Sequence, residues 1–121
     1  MAKYERTFRG DFDSVVDLVH RGVMDASMSA SYEDGSNIEP TGTDVRCAVR
    51  VYERYSTFGG NRVALNLTIV GVGPRIFVSA ITAGGSQAMM WKVNTWGEES
   101  FLETLTATVE PLAQASPDVE P

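Results

Sequence analysis

Arg46, Arg50 and Arg54 stand four residues apart, with Tyr52 between the last two and Arg62 a few residues on. Side chains two or four apart on a strand share a face, so in an extended segment these guanidinium groups form a row beside a phenol. A neighbouring strand adds Arg62 to it. Such a row can hold a carboxylate or phosphate through paired N–H donors. A second anion site is possible at Gly84-Gly85-Ser86, where successive backbone N–H groups can fold into a nest beside Gln87 and Lys92. The candidate binding residues are therefore Arg46, Arg50, Tyr52, Arg54, Arg62, Gly84, Gly85 and Ser86. Each has a plainer reading beside it: the arginines as a solvated or internally paired face, the Gly-Gly-Ser as a hairpin turn.

Other chemistry is thinly supplied. With one histidine, His20, and one cysteine, Cys47, there is no zinc-type ligand set and no evident base for a nucleophile. Glu33, Asp34 and Glu39 read as an acidic solvated loop, and Gly84-Gly85-Ser86 lacks the lysine and following helix of a phosphate loop. No catalytic residue, metal or cofactor is expected. The net charge of −6, from sixteen acidic and ten basic side chains, repels polyanions, so nucleic acid is not an expected partner. A lone cysteine makes no internal disulfide, the opening MAKYERTFRGDFD is polar, and no apolar run approaches the roughly 20 residues of a membrane helix. These features lead us to expect a cytoplasmic protein without a membrane partner.

The elements that must position these residues are read from hydrophobic periodicity. Residues 1–10 read as a polar lead-in. Asp11 is placed as an N-cap, and Phe12, Val15, Val16, Val19 and Val23 share one helix face, which predicts a helix from Phe12 to Met24 weakened at Gly22. His20 falls at the border of that face. Strict alternation predicts a strand over Ala26 to Tyr32, and the turn formers of Glu33 to Gly42 predict a loop. Thr43 to Tyr55 is the clearest strand, with Val45, Cys47, Val49 and Val51 assigned inward and Arg46, Arg50, Tyr52 and Arg54 outward.

After a turn at Ser56 to Gly60, Asn61 to Val70 is expected to return with Val63, Leu65, Leu67 and Ile69 inward, followed by Arg75 to Ala83. Gln87 to Val93 supplies a fifth strand after the Gly-Gly-Ser turn. Thr95 and Glu98 form a capping box that starts the last helix, whose buried face is Phe101, Leu102, Leu105, Val109 and Leu112 and which Pro111 ends or kinks. Met89, Met90, Trp91 and Trp96 read as core or as a subunit contact. The expectation is an α+β domain over residues 1–115: a five-stranded antiparallel meander with an N-terminal and a C-terminal helix on one face, then a disordered acidic tail over 116–121.

Ala83-Gly84-Gly85-Ser86-Gln87, the run Trp91 to Glu99, Phe101-Leu102, Val51 to Tyr55 and Gly60-Asn61-Arg62 resemble a family of small uncharacterised bacterial proteins over nearly the whole chain except the tail. The resemblance implies a cytosolic protein of Gram-positive-type bacteria with no assigned activity, and it carries no catalytic residue to this chain. With so little acid–base inventory, the expected function is a non-catalytic binding or interaction module that self-associates as a homo-oligomer through an uncovered sheet face. The alternative is a small-anion or metabolite binder using the arginine row or the glycine turn.

Overall fold

A computed structural model of the chain runs β1 (Ala2–Arg9), α1 (Phe12–Asp25), β2 (Ser31–Ile38), β3 (Val45–Tyr55), β4 (Arg62–Val72), β5 (Arg75–Gly84) and α2 (Trp91–Ala115). The structure describes residues 1–26, 29–55, 62–84 and 91–118. The strands form one sheet in the order β1-β5-β4-β3-β2, with every neighbouring pair antiparallel. β2 to β5 is a meander, and β1 lies beside β5 at the far edge. Both helices lie on one face, as the amphipathic stripes required. Val15, Val19 and Val23 of α1 and Phe101, Leu105 and Val109 of α2 are buried in one core with Leu65, Leu67 and Ile69 of β4 and Ile76 and Val78 of β5. Each large side chain there contributes about 1.5–3 kcal/mol by leaving water.

The first helix lies where its pattern placed it, and Asp11 caps it by accepting a hydrogen bond from the Ser14 backbone N–H at 3.0 Å. Other boundaries differ from expectation. Residues 2–9 are a strand rather than a lead-in: Ala2, Tyr4 and Phe8 turn toward the helices, and the charge that hides the alternation, Arg6, reaches Glu110 of α2 at 3.3 Å. The strand expected at Ala26 to Tyr32 starts at Ser31 and runs through the expected loop to Ile38. As an edge strand it needs few apolar residues, and a bulge between Tyr32 and Asp34 absorbs Glu33.

The fifth strand expected at Gln87 to Val93 does not form as expected, because Trp91 to Val93 belong to α2; residues 85–90 lie outside the described residues. β1 takes the fifth place in the sheet. The last helix thus starts at Trp91, ahead of the expected box at Thr95, and it passes Pro111 without ending. Proline takes the N–H from the bond to the Ala107 carbonyl, but Pro111 and Ala107 are both exposed, so that carbonyl meets water. Beyond the helix, Ser116 accepts a bond from the Arg9 backbone N–H at 2.9 Å, Pro117 bridges Phe8, and Asp118 pairs with Arg75 at 2.7 Å. These residues, the first half of the expected tail, line the outer side of β1, and 119–121 lie outside the described residues.

The largest correction concerns which way β3 faces. In β4, Val63, Leu65, Leu67 and Ile69 are buried beneath the helices as expected. Opposite them in β3 stand Arg54, Tyr52, Arg50 and Ala48, and directly paired residues share a face. Arg46, Arg50, Tyr52 and Arg54 therefore lie on the helix side, while Val45, Cys47, Val49 and Val51 lie on the uncovered side. That reverses the assignment made from sequence. The arginines tolerate the position because their long stems lie over apolar surface while their heads reach the helices. Arg54 stacks 4.7 Å from the Phe101 ring centre and donates to Ser100 Oγ at 2.7 Å.

Arg46 fastens α1 to the sheet. Its Nη1 and Nη2 each donate to one oxygen of Asp13 at 2.8 Å, Nε donates to Glu39 at 2.9 Å, and the guanidinium lies 4.6 Å from the Phe12 ring centre. The hydrogen bonds from Arg46 hold the Asp13 carboxyl below its ordinary value of 3.8. A carboxyl depressed on folding adds stability above its ordinary value and loses it as pH falls through the folded one. Wild type is accordingly expected to exceed Asp13→Asn in urea midpoint at neutral pH, with the gap closing on acidification. A gap that persists at the acid end would assign the effect to shape rather than charge.

Gly22 marks the crossing of the two helices. A Cβ there would stand 2.2 Å from Thr108 Oγ1 and 3.2 Å from Thr108 Cβ, so turning the hydroxyl away gives little room. Alanine should favour an isolated helix by about 1 kcal/mol. In this fold we expect Gly22→Ala to lower stability by roughly 1–2 kcal/mol through overpacking, and Gly22→Ala with Thr108→Ala to restore it, both read from urea unfolding.

Candidate functional site

The reversed face of β3 divides the arginine row. Arg46, Arg50 and Tyr52 come together against α1, Arg54 lies farther along under α2, and Arg62 is on the opposite face of the sheet. There Arg62 pairs with Glu53 at 2.9 Å and lies 5.0 Å from the Tyr55 ring centre. Gly84 ends β5 opposite Val63, which pairs with Arg54 on its other side; Gly85 and Ser86 are outside the described residues. Arg62 is thus on the other face of the sheet from Arg46, Arg50, Tyr52 and Arg54.

What Arg46, Arg50 and Tyr52 approach is a cleft of about 340 Å3 between α1 and the β2–β3 edge. Phe12, Val16 and His20 line it from α1, Tyr32 and Asn37 from β2, and Arg46 and Arg50 from β3. α1 positions its three side chains by the four-residue spacing that puts them on one flank of the helix. In β2 and β3 the two-residue period puts Tyr32, Asn37, Arg46 and Arg50 on the same side.

Three rings pack together here, His20 and Tyr32 lining the cleft and Tyr52 in contact with both. His20, Tyr32 and Tyr52 have their centres 5.5–5.6 Å apart, and His20 Nδ1 and Tyr52 Oη are 2.8 Å apart. Tyr52 is fully buried, and burial is the main reason its hydroxyl is pushed up to about 12. It therefore stays protonated. With no other acceptor for that hydroxyl among the described residues, the arrangement that satisfies both groups has Tyr52 donating to Nδ1, which leaves the His20 proton on Nε2. The sequence reading missed Tyr32, Asn37 and the role of His20: it put Tyr32 at the end of a strand over Ala26 to Tyr32, Asn37 in a loop and His20 at the border of the helix face, so nothing joined the three.

Arg50 differs from its neighbours. Nη1 donates to the Ser36 and Val49 carbonyls at 3.1 and 2.9 Å, and Nη2 donates to Asn37 Oδ1 at 2.8 Å. All three acceptors are neutral. Among the described residues no carboxylate forms an ion pair with Arg50, whereas Arg46 is held by Asp13 and Glu39 and Arg21 by Asp17.

The uncovered face of the sheet is the second surface of note. Val49 and Val51 from β3, Val70 and Val72 from β4, and Phe77 and Ile81 from β5 lie there around Asn66 and Thr68 of β4 and Ser79 of β5, with Phe77 39% and Val72 46% exposed. The edge strands there are mainly polar, with Lys3, Glu5, Thr7 and Arg9 on β1 and Ser31, Asp34 and Ser36 beside the exposed Ile38 on β2. Cys47, expected in the core, is half-buried on this face. Among the described residues, no helix is long and apolar enough to cross a membrane.

No curated protein and no solved structure matches the chain. The pattern of a family of unknown function, DUF6054, matches residues 1–113, from β1 through nearly all of α2, and the chain belongs to that family.

Proposed function

We propose that this protein is a non-catalytic interaction module that pairs with a second copy of itself through the uncovered face of the sheet. The observation that carries this is the composition of that face: exposed and half-buried apolar side chains on the three inner strands, around Asn66, Thr68 and Ser79, bounded by mainly polar edge strands. Protein interfaces have this anatomy, with a desolvated centre and a polar rim. The extent also fits. Five strands about 4.8 Å apart and about eight residues long at ~3.3 Å each give a flat footprint of roughly 600 Å2, close to the ~800 Å2 per partner of a standard stable interface.

A second copy is favoured by the distribution along the sheet. β4 is the central strand, with β5 and β1 on one side and β3 and β2 on the other. A two-fold axis along β4 lays Phe77 and Ile81 of one copy over Cys47 and Val51 of the other, and sheets packed face to face keep their strands within about 30° of each other. The same axis lays β1, with Lys3 and Arg9, over β2, with Asp34, once on each side. Edge-to-edge pairing is less favoured: Ser116 and Pro117 bond along β1, and the bulge at Glu33 breaks up the β2 edge.

Sedimentation velocity at high micromolar concentration tests this reading. Wild type is expected as a dimer and Phe77→Glu as a folded monomer, since Phe77 is outside the core, with an unfolding midpoint that, unlike that of wild type, does not rise with protein concentration. Arg50→Ala, on the other face, should remain a dimer. A strictly monomeric wild type overturns the proposal.

A further inference from the structure

We infer that the cleft between α1 and the β2–β3 edge is a binding site for a small monocarboxylic acid with a flat apolar body, whose carboxylate lies on Arg50 and His20. This site is on the opposite side of the sheet from the self-association surface, so either can fail alone.

The charge distribution in the cleft selects the head group. Asp13 and Asp17 both line it, but Arg46 occupies the first with two bonds and Arg21 pairs with the second at 2.7 Å. The remaining charge is Arg50. A guanidinium has five N–H donors, and the bonds to Ser36, Val49 and Asn37 engage three of them. The two left are Nε–H and one on Nη2, on the neighbouring nitrogens with which arginine can hold a carboxylate at two points. His20, with Nδ1 engaged by Tyr52, has Nε2–H as a third donor. One cation flanked by two acidic side chains suits a single negative charge and disfavours a polyphosphate, whose extra charges would face Asp13 and Asp17.

The lining selects the body. Phe12, Val16 and the rings of His20 and Tyr32 give the cleft apolar walls, and its volume of about 340 Å3 is at the small end of the range for ligand sites. Tyr32 is 44% exposed, although it packs edge-on to His20 at 5.5 Å, which leaves part of its ring to meet a ligand.

Gly35 shows that these groups are held in place. It is opposite Arg50, and a Cβ on it would stand 2.3 Å from Tyr32 Oη, 2.6 Å from the Val49 carbonyl and 2.9 Å from Arg50 Cδ. The Val49 carbonyl is backbone and cannot step aside. Any side chain at position 35 thus displaces both the tyrosine and the arginine stem.

The test is a titration of the 15N-labelled full chain with phenylacetate, followed by amide shifts and by the melting temperature. Saturable shifts at His20, Tyr32, Asn37 and Arg50 are expected, together with a rise in melting temperature. Phenylacetamide, of the same shape without the charge, should bind at least about tenfold more weakly, as should phenylacetate to Arg50→Lys, which keeps a cation but loses the fork. Gly35→Ala should lose binding, and Arg54→Gln should keep it. If Arg50→Lys is misfolded by its amide spectrum, the comparison of phenylacetate with phenylacetamide on the wild-type chain carries the decision. The inference is overturned if phenylacetate gives no saturable shifts up to about 10 mM, if its shifts fall outside the cleft, or if inorganic phosphate binds the same residues as tightly.

Discussion

The register of β3 against β4 is the constraint on which the rest depends. Tyr52 lies opposite Leu65, and Leu65 is buried beneath the helices, so every second residue of β3 from Arg46 to Arg54 must face the helices as well. A slip of one residue would exchange the two sides of the whole strand. The valines would then enter the core and the arginines would lie in water. What holds the observed choice is that the helix layer thins out over β3, whose neighbours on that side are long side chains rather than packed helix backbone. Arg46 and Arg54 bridge that distance to Asp13 and Ser100, and Tyr52 fills the gap below His20. A valine is too short to reach.

The same circumstance explains which parts of the fold were legible in the sequence. α1, β4 and the buried face of α2 each bury one clear stripe against one partner, and their patterns read directly, whereas β5, rich enough in Ile, Phe and Val to suggest burial on both faces, buries only one. β3 carries apolar residues on one side and stem-rich arginines with a tyrosine on the other, so the simple rule that charge faces outward selected the wrong side. β1 was missed and β2 was placed too early in the chain for a different reason. At a sheet edge a strand has one hydrogen-bonded neighbour and a thin cover, and backbone pairing can hold it without apolar alternation. Arg6 in β1 and the acidic, glycine-containing run of β2 reflect that freedom. The start of α2 was misplaced because a capping box is a local signal that does not exclude helix before it.

The candidate site was legible to the same degree. The spacing of Arg46, Arg50 and Tyr52 correctly placed them on one face of one strand, and the chemistry of that row survives the reversal. Its setting does not. Facing the helices, two of the three arginines on β3 are committed to structural roles, Arg46 by carboxylates and Arg54 by an aromatic ring and a desolvated position that pulls its pKa down. A row of equivalent cations thus becomes one available cation beside a histidine and two tyrosines. Those partners come from a helix and an edge strand distant in sequence, and no local pattern announces such a convergence.

The placement of charge also bears on how the chain meets other molecules. Its net charge of −6 sets a general repulsion between copies. Contact between copies must therefore come from a surface where apolar burial outweighs that field, at about 25 cal/mol for each Å2 removed from water. Among the described residues, most apolar side chains of the helix side are in the core. The sheet edges are occupied or interrupted. The valines that β3 turns away from the helices lie on the uncovered face, so the reversal that draws the arginines into the cleft also adds apolar surface to the opposite face. Both surfaces follow from one choice of register, and a sequence change that moved β3 by a single residue would abolish the two together.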